Sequence, residues 1–244
     1  MIKKIFQILM VVVLLAYMIF AVAFVNPKAN DDNVCAGMHI ETPANHGVSY
    51  LNDKQIENII MKANLNPTGK TLSQIKTDRI EDLLEQNPLI RAAKVYKTID
   101  CQLKITVYQR LPILRVITSD NNYYLDEDGV IMPAPPQFAV HVPIATGHIN
   151  KEYAQTQLYD FAQFLRKNKD WEKQIDQIYI LPNRDVELIP HKGSHIILLG
   201  KMDNYADKLN KLALFYDKAL DKIGWNRYSV INLKYNNQVV CTKK

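Results

Sequence analysis

Few stretches of this 244-residue chain bring reactive side chains together, and spacing decides each case. His191 and His195 flank Lys192-Gly193-Ser194. Two imidazoles so spaced hold zinc when a helix turns both to one face or a third ligand closes the site. Pro190 and Gly193 argue for a hairpin loop instead, so the pair is not read as a metal site. Ser194 lacks the second glycine of a nucleophile elbow. Pro67-Thr68-Gly69-Lys70-Thr71 ends like a phosphate loop, but the first glycine of that motif falls on Asn64 and a helix precedes it. Asp126-Glu127-Asp128-Gly129 opens like a calcium loop, yet residues 132–136 offer no carboxylate for the later ligand positions. Cys35, Cys101 and Cys241 are too few and too scattered for a zinc site or a disulfide framework. They are read as buried or idle thiols, with one disulfide and a leftover thiol as the alternative. No catalytic, cofactor-binding or metal-binding residue is assigned, and the chain reads as a non-enzyme. What remains is main-chain chemistry: a free strand edge offers N–H and C=O groups to which a partner can add a strand.

The elements that must position such an edge follow from hydrophobic period. Residues 87–112 hold the clearest pattern. From Cys101, the residues Cys101, Leu103, Ile105 and Val107 point one way, while Gln102, Lys104, Thr106 and Tyr108 point the other, as in a strand with one dry face. Residues 90–97 pair with it across a short turn at 98–100. Asn87-Pro88 closes a helix in front and Pro112 ends the strand behind. Upstream, residues 38–42 read as a strand. Asn52 with Gln55 forms a capping box for a helix whose buried stripe is Ile56, Ile59, Ile60 and Ala63. A second helix over 77–86 buries Ile80, Leu83 and Leu84. The order strand, helix, helix, strand, strand is an α+β unit over residues 38–112.

From residue 113 short strands dominate: 113–118, 123–126 and 130–132 with an Asp128-Gly129 turn, then 175–181, 184–189 and 195–199. An irregular loop with Pro133, Pro135 and Pro136 separates the two groups. A helix over 151–169 buries Ala154, Leu158, Phe161, Ala162 and Leu165. Another over 204–222 buries Leu209, Leu212, Ala213, Tyr216 and Leu220, and Gly224 ends it. Strands 229–235 and 238–242 close the chain around Asn236-Asn237. In the first of these Ile231, Leu233 and Tyr235 face inward, with Val230, Asn232 and Lys234 outward. Residues 113–244 thus form a mixed β domain with two long helices.

Residues 5–25 are apolar apart from Gln7 and Tyr17, long enough for a membrane-spanning helix. Lys3 and Lys4 precede it, so residues 1–4 are a cytoplasmic tail and the bulk of the chain lies outside. Ala21-Val22-Ala23 resembles a signal-peptidase site, but the apolar run exceeds that of a cleavable signal, so an uncleaved anchor is expected. Cys35 lies too far past the run to carry lipid. Residues 26–37 form a polar juxtamembrane linker. The net charge of +5 is spread along the chain with no basic cluster among aromatics, which excludes a nucleic-acid binder.

Several phrases, in this order behind an anchor, resemble the FtsQ/DivIB family of bacterial cell-division proteins. They are Asn87-Pro88-Leu89-Ile90 with Ala93-Lys94-Val95, Leu103-Lys104-Ile105-Thr106-Val107 and Gln109-Arg110-Leu111-Pro112. Tyr124-Leu125-Asp126, Gly129-Val130-Ile131, Leu199-Gly200 and the closing Val230-Ile231-Asn232-Leu233-Lys234-Tyr235 with Gln238-Val239-Val240 complete the set. The resemblance implies a polypeptide-transport-associated (POTRA) domain followed by an FtsQ-type β domain, in a non-enzymatic divisome scaffold of the inner membrane at the septum. It implies FtsB/DivIC-like and FtsL-like partners, and through them an FtsW/FtsI-type septal synthase. Strand addition is then expected at Tyr228, Ser229, Val230, Asn232, Lys234, Tyr235, Val239 and Val240. The short tail departs from longer-tailed relatives, and 232–235 stands where many relatives carry an Asp and an Arg. The alternative is a POTRA-containing export or envelope-assembly factor, which would demand a transmembrane β-barrel downstream. A membrane-anchored periplasmic hydrolase would demand a poised nucleophile or metal cluster.

Overall fold

In a computed structural model of the chain the described residues are 2–24, 33–43, 49–134, 140–236 and 238–244. The linker residues 26–32, His46, Pro135, Pro136 and Asn237 lie outside them. Helix α1 (Ile2–Phe24) covers most of the stretch expected to span a membrane. Among the described residues no helix is long and apolar enough to cross one. Two compact units follow: Met1–Pro43 with Leu51–Tyr108, and Ala44–Tyr50 with Gln109–Lys244.

In the first unit β1 (Gly37–Glu41), α2 (Asp53–Lys62), α3 (Thr77–Glu85), β2 (Ile90–Lys97) and β3 (Gln102–Gln109) follow the expected order. Asn52 and Gln55 close the capping box, each side chain accepting from the other's backbone N–H at 2.9 Å. Ile56 and Ile60 are fully buried, while Ile59 and Ala63 are half-buried on the flank of the stripe. On α3 the burial falls on Ile80 and Leu84. The sheet order is β1-β3-β2, with β1 parallel to β3. Leu103, Ile105 and Val107 are buried as the alternation requires. Cys101 is not part of that strand. It takes a left-handed backbone, φ +58°, at the end of the turn, where Thr98 N–H and Oγ1 both donate to Gln102 O. A hairpin loop of this length calls for a left-handed residue there, so the turn claims Cys101 before the period-two pattern begins.

The second unit is a nine-stranded sheet. It contains β4 (Pro112–Ile117), β5 (Asn122–Asp126), β6 (Ile131–Pro133), β7 (Ile144–Gly147), β8 (Ile175–Ile180), β9 (Val186–Pro190), β10 (Ile196–Gly200), β11 (Tyr228–Asn232) and β12 (Val240–Lys243). Their order is β12-β11-β10-β9-β8-β7-β4-β5-β6. β7 is a strand the sequence pattern did not announce. It lies parallel between β4 and β8.

Each expected long helix is interrupted by a wider π turn. Residues Ala154–Leu158 join α4 (Lys151–Tyr153) to α5 (Tyr159–Lys167), with α6 (Lys169–Glu172) after it. Residues Tyr216–Leu220 join α7 (Tyr205–Phe215) to α8 (Asp221–Ile223). The first helix buries all five residues expected of it. In the second, Leu209, Leu212, Tyr216 and Leu220 are buried but Ala213 is exposed, because the stripe through the other four leaves it on the flank. Both helices share one core with Val116, Leu125, Ala145, Ile178, Leu188, Ile197 and Ile231 from the sheet. Each fully buried aliphatic side chain contributes about 1.5–3 kcal/mol, and that common core fixes where the last two strands lie.

Candidate docking edge

Two sheets present four edges, and their protection differs. On β2 the backbone N–H groups of Ala93 and Val95 donate to the Glu85 and Glu81 carboxylates of α3 at 3.0 and 2.7 Å. That edge already has its partner. On β1, Glu41 pairs with His39 and Lys104, and charge on an edge strand deters pairing. The edge of the large sheet at β6 is three residues long and ends in Pro133, a residue that cannot donate to a ladder. At the opposite edge stands β12. It pairs antiparallel with β11, and the sheet ends there.

The register sets what β12 offers. Val240, Cys241 and Thr242 stand opposite Asn232, Ile231 and Val230, and Lys243 stands opposite Tyr228. The step from Val230 to Tyr228 against Thr242 to Lys243 places one extra residue, Ser229, on β11 as a bulge. Ser229 Oγ donates to Thr242 O at 3.3 Å, which ties the bulge to the last strand. Lys244 N–H donates to Arg227 O at 3.3 Å. Backbone groups alternate between the two sides of a strand. With Lys244 turned toward β11, Thr242 and Val240 turn the same way; Cys241 aims its N–H and C=O and Lys243 its N–H at the open side, while Lys243 O accepts from Ser229 Oγ at 3.4 Å.

The side chains follow the same logic. Ile231 is buried and Cys241, opposite it, packs half-buried against the core. Burial pushes the Cys241 thiol above its ordinary pKa, away from the nucleophilic thiolate. Val240, 41% exposed, shares the outer face with Val230, Asn232 and Thr242. On β10, Ile196, 40% exposed, stands beside Val230 and continues that apolar patch.

The connection between β11 and β12 is held by lysines. Lys211 Nζ donates to Tyr235 O and Asn236 O at 2.9 and 2.8 Å. Lys234 and Lys201 grip the Asp185 carboxylate at 2.6 and 3.1 Å. Lys234 first and Lys201 after it hold that carboxyl below the usual range.

The eight residues expected to receive a partner therefore divide. Tyr228, Ser229, Val230 and Asn232 belong to β11, an inner strand: Val230 and Asn232 pair with β10 on one side and β12 on the other, Tyr228 pairs with β12, and Ser229 is the bulge residue. Val230 and Asn232 can contribute only side chains on the outer face. Tyr228 packs with Phe215, ring centroids 6.1 Å apart. The strand stops at Asn232, so Lys234 and Tyr235 lie in the connection, and Tyr235 is 50% exposed where an inward position was expected. Val239 packs on the core just before β12. Val240 alone lies on the open strand. Cys241, Thr242 and Lys243, absent from the expected set, complete the edge. The strand read over 238–242 already held Cys241 and Thr242; its place at the sheet edge left no signal, because strand order is invisible to period.

Side chains with reactive potential are otherwise engaged. His191 Nδ1 sits 3.0 Å from Asp176, His195 Nε2 sits 2.8 Å from Tyr216 Oη, and Ser194 Oγ donates to Asn226 at 3.1 Å. Cys35, Cys101 and Cys241 are free thiols. Among the described residues no group of three or more His, Cys, Asp and Glu is placed to hold a metal ion.

Comparison with known proteins adds two family matches. Residues 111–242 match the model described as FtsQ/DivIB, C-terminal related. Residues 33–108 match a POTRA-like domain. Among solved structures, one similar chain is the major extracytoplasmic domain of the trans isomer of the bacterial cell division protein DivIB from Geobacillus stearothermophilus. It shares 20% identity over 47% of this chain and 97% of its own, with a TM-score of 0.31. No curated protein sequence matches the chain.

Proposed function

The chain belongs to the FtsQ/DivIB family, and from that premise we propose that it is a membrane-anchored, non-catalytic scaffold of the bacterial divisome. In this reading residues 5–25 fix it in the inner membrane, the POTRA-like unit and the β domain stand outside the cytoplasm, and the protein gathers at the septum. FtsB/DivIC-like and FtsL-like proteins are its partners, and through them it links early division proteins to the FtsW/FtsI-type septal synthase.

The observation that carries the reading is the open edge at β12. An extended segment of an FtsB-like partner adds there as a tenth strand, using the outward N–H and C=O of Cys241 and the outward N–H of Lys243. The outer face with Val240, Val230 and Ile196 gives its side chains an apolar seat. This is recognition by strand addition, in which the ladder supplies affinity and alternate side chains supply choice. It requires no reactive side chain.

The test is a pull-down of an FtsB-like segment by the full chain, with Lys243→Pro compared against Lys243→Ala. Proline removes one outward donor, whereas alanine removes only the charge. The expected result is loss of capture with proline and retention with alanine. Undiminished capture by Lys243→Pro refutes docking at this edge. A fluorescent fusion of the same chains is expected to form midcell bands, lost in the proline variant.

A further inference from the structure

The first unit carries its most exposed large apolar side chain at the end where the chain enters it. β1 runs parallel to β3 with Gly37 opposite Gln102. Just before β1, Ala36 N–H donates to Cys101 O at 2.8 Å and Cys35 N–H donates to Lys70 O at 2.8 Å. The incoming chain is therefore bonded to the turn between β2 and β3. At the tip of that turn Ile99 is 91% exposed, a larger fraction than for any other large apolar side chain described. Val34, bridged to Thr71 at the same end, is 55% exposed. Lys97, just before the turn, and Lys70, whose backbone O holds the incoming Cys35 N–H, are both exposed.

Single exposed aliphatics on a surface are ordinary, so position has to carry the argument. Twelve residues separate Phe24 from Gly37. Fully extended they reach about 40 Å at most. The turn thus lies within that reach of whatever surface α1 emerges from. Tethering makes even a weak contact intramolecular, at an effective concentration of order millimolar.

We propose that the turn at residues 98–101 rests on the bilayer surface, with Ile99 seated among the lipid headgroups and Lys97 and Lys70 reaching phosphates. The first unit is then held to the membrane twice, by α1 and by this tip. Lipid is favoured over protein as occupant because the chain's own connection keeps this end within reach of the surface, and because one apolar knob near exposed cations suits an interface better than a groove. Asp100 opposes anionic lipid beside the tip. Its carboxyl is held below the usual range by Thr98, so the contact depends more on the apolar tip than on lipid charge. The proposal rests on α1 spanning the membrane.

The test uses the full chain reconstituted in phosphatidylcholine–phosphatidylglycerol vesicles, with Ile99→Trp and lipids brominated near the headgroup. Trp171 and Trp225 of the unsubstituted chain supply the background. The expected result is extra emission that is blue-shifted and quenched by the brominated lipid, on top of the unchanged background. Flotation of the chain with vesicles while the extra emission stays unquenched overturns the tip contact and leaves the anchor standing. Failure to float overturns the anchor and the proposal together. Should Ile99→Asp abolish capture of an FtsB-like segment while the extra emission stays unquenched, the tip belongs to a protein interface and the lipid assignment fails.

Discussion

Replacing Asp126 by alanine tests how the second unit is started. The carboxylate is 0% exposed, and its Oδ2 accepts from Arg110 Nη1 at 2.7 Å. Its Oδ1 accepts from the backbone N–H groups of Asp128 and Val130 at 3.0 and 2.7 Å. The tetrapeptide that opens like a calcium loop is thus a hairpin turn folded around its own first carboxylate, with Gly129 at φ +77°. Alanine leaves an 18%-exposed guanidinium, whose Nε already lacks a partner, with no counter-charge. It also strips two backbone donors of their acceptor. Removing one partner of a buried pair costs about 3–5 kcal/mol. Asparagine leaves the guanidinium without its counter-charge as alanine does, but keeps an acceptor for the two N–H groups, which spares about 0.5–1.5 kcal/mol for each of those hydrogen bonds. Against a domain stability of about 5–15 kcal/mol the alanine chain is left marginal. Both tryptophans, Trp171 and Trp225, lie in this unit, so urea unfolding of the detergent-solubilised chain read by their fluorescence reports on it alone. The order expected is unsubstituted, then Asp126→Asn, then Asp126→Ala. A cost below about 1 kcal/mol for alanine, or asparagine as damaging as alanine, would refute the reasoning.

Two further perturbations probe other parts of the fold. His195 is 2% exposed, with Nε2 against Tyr216 and Nδ1 without a partner. Burial first, and the Lys244 ammonium second, hold its pKa below the ordinary histidine value. The unfolded chain therefore takes up this proton first as pH falls. Stability due to neutral His195 is complete above about pH 6.5 and is lost as pH drops through the lower folded value. Urea titrations between neutral and mildly acid pH should show a shallower loss for His195→Gln than for the unsubstituted chain. At the turn before β3, Cys101→Gly should stabilise the first unit by roughly 0.5–1 kcal/mol, since glycine adopts a left-handed backbone without the Cβ penalty. Calorimetry that shows a lower unfolding temperature would contradict that reading of the turn.

Local chemistry proved legible in the sequence; pairing order did not. The Asn52–Gln55 box and the alternation of Leu103, Ile105 and Val107 depend on neighbours a few residues away and stand where spacing puts them; of the helix stripes Ile56, Ile60, Ile80 and Leu84 are buried, while Ile59, Ala63 and Leu83 are half-buried. Cys101 misled because a left-handed turn position leaves no trace in hydrophobic period. β7 was missed because four residues squeezed between two parallel neighbours need no alternation. The last hairpin was drawn too long and its connection too short. β11 stops at Asn232 because Lys211, Lys201 and Asp185 hold residues 234–236 in a loop. Those contacts join residues far apart in the chain.

The edge emerges from what the other edges lack. Glu81 and Glu85 lie on a helix, yet their carboxylates serve β2, closing a row of donors that would otherwise invite a strand. β6 is cut short by Pro133, and β1 is charged through Glu41. An unprotected edge invites aggregation and is commonly blunted by bulges and lysines. At β12 the bulge lies on the neighbouring strand β11, and the lysines lie only at the tip, Lys243 and Lys244. Val240 and Cys241 stand at the other end of the strand with no such guard. The chain thus defends three edges with side chains and leaves the fourth partly undefended, next to an apolar face that runs onto Ile196. That strand is the one the proposed FtsB-like segment uses.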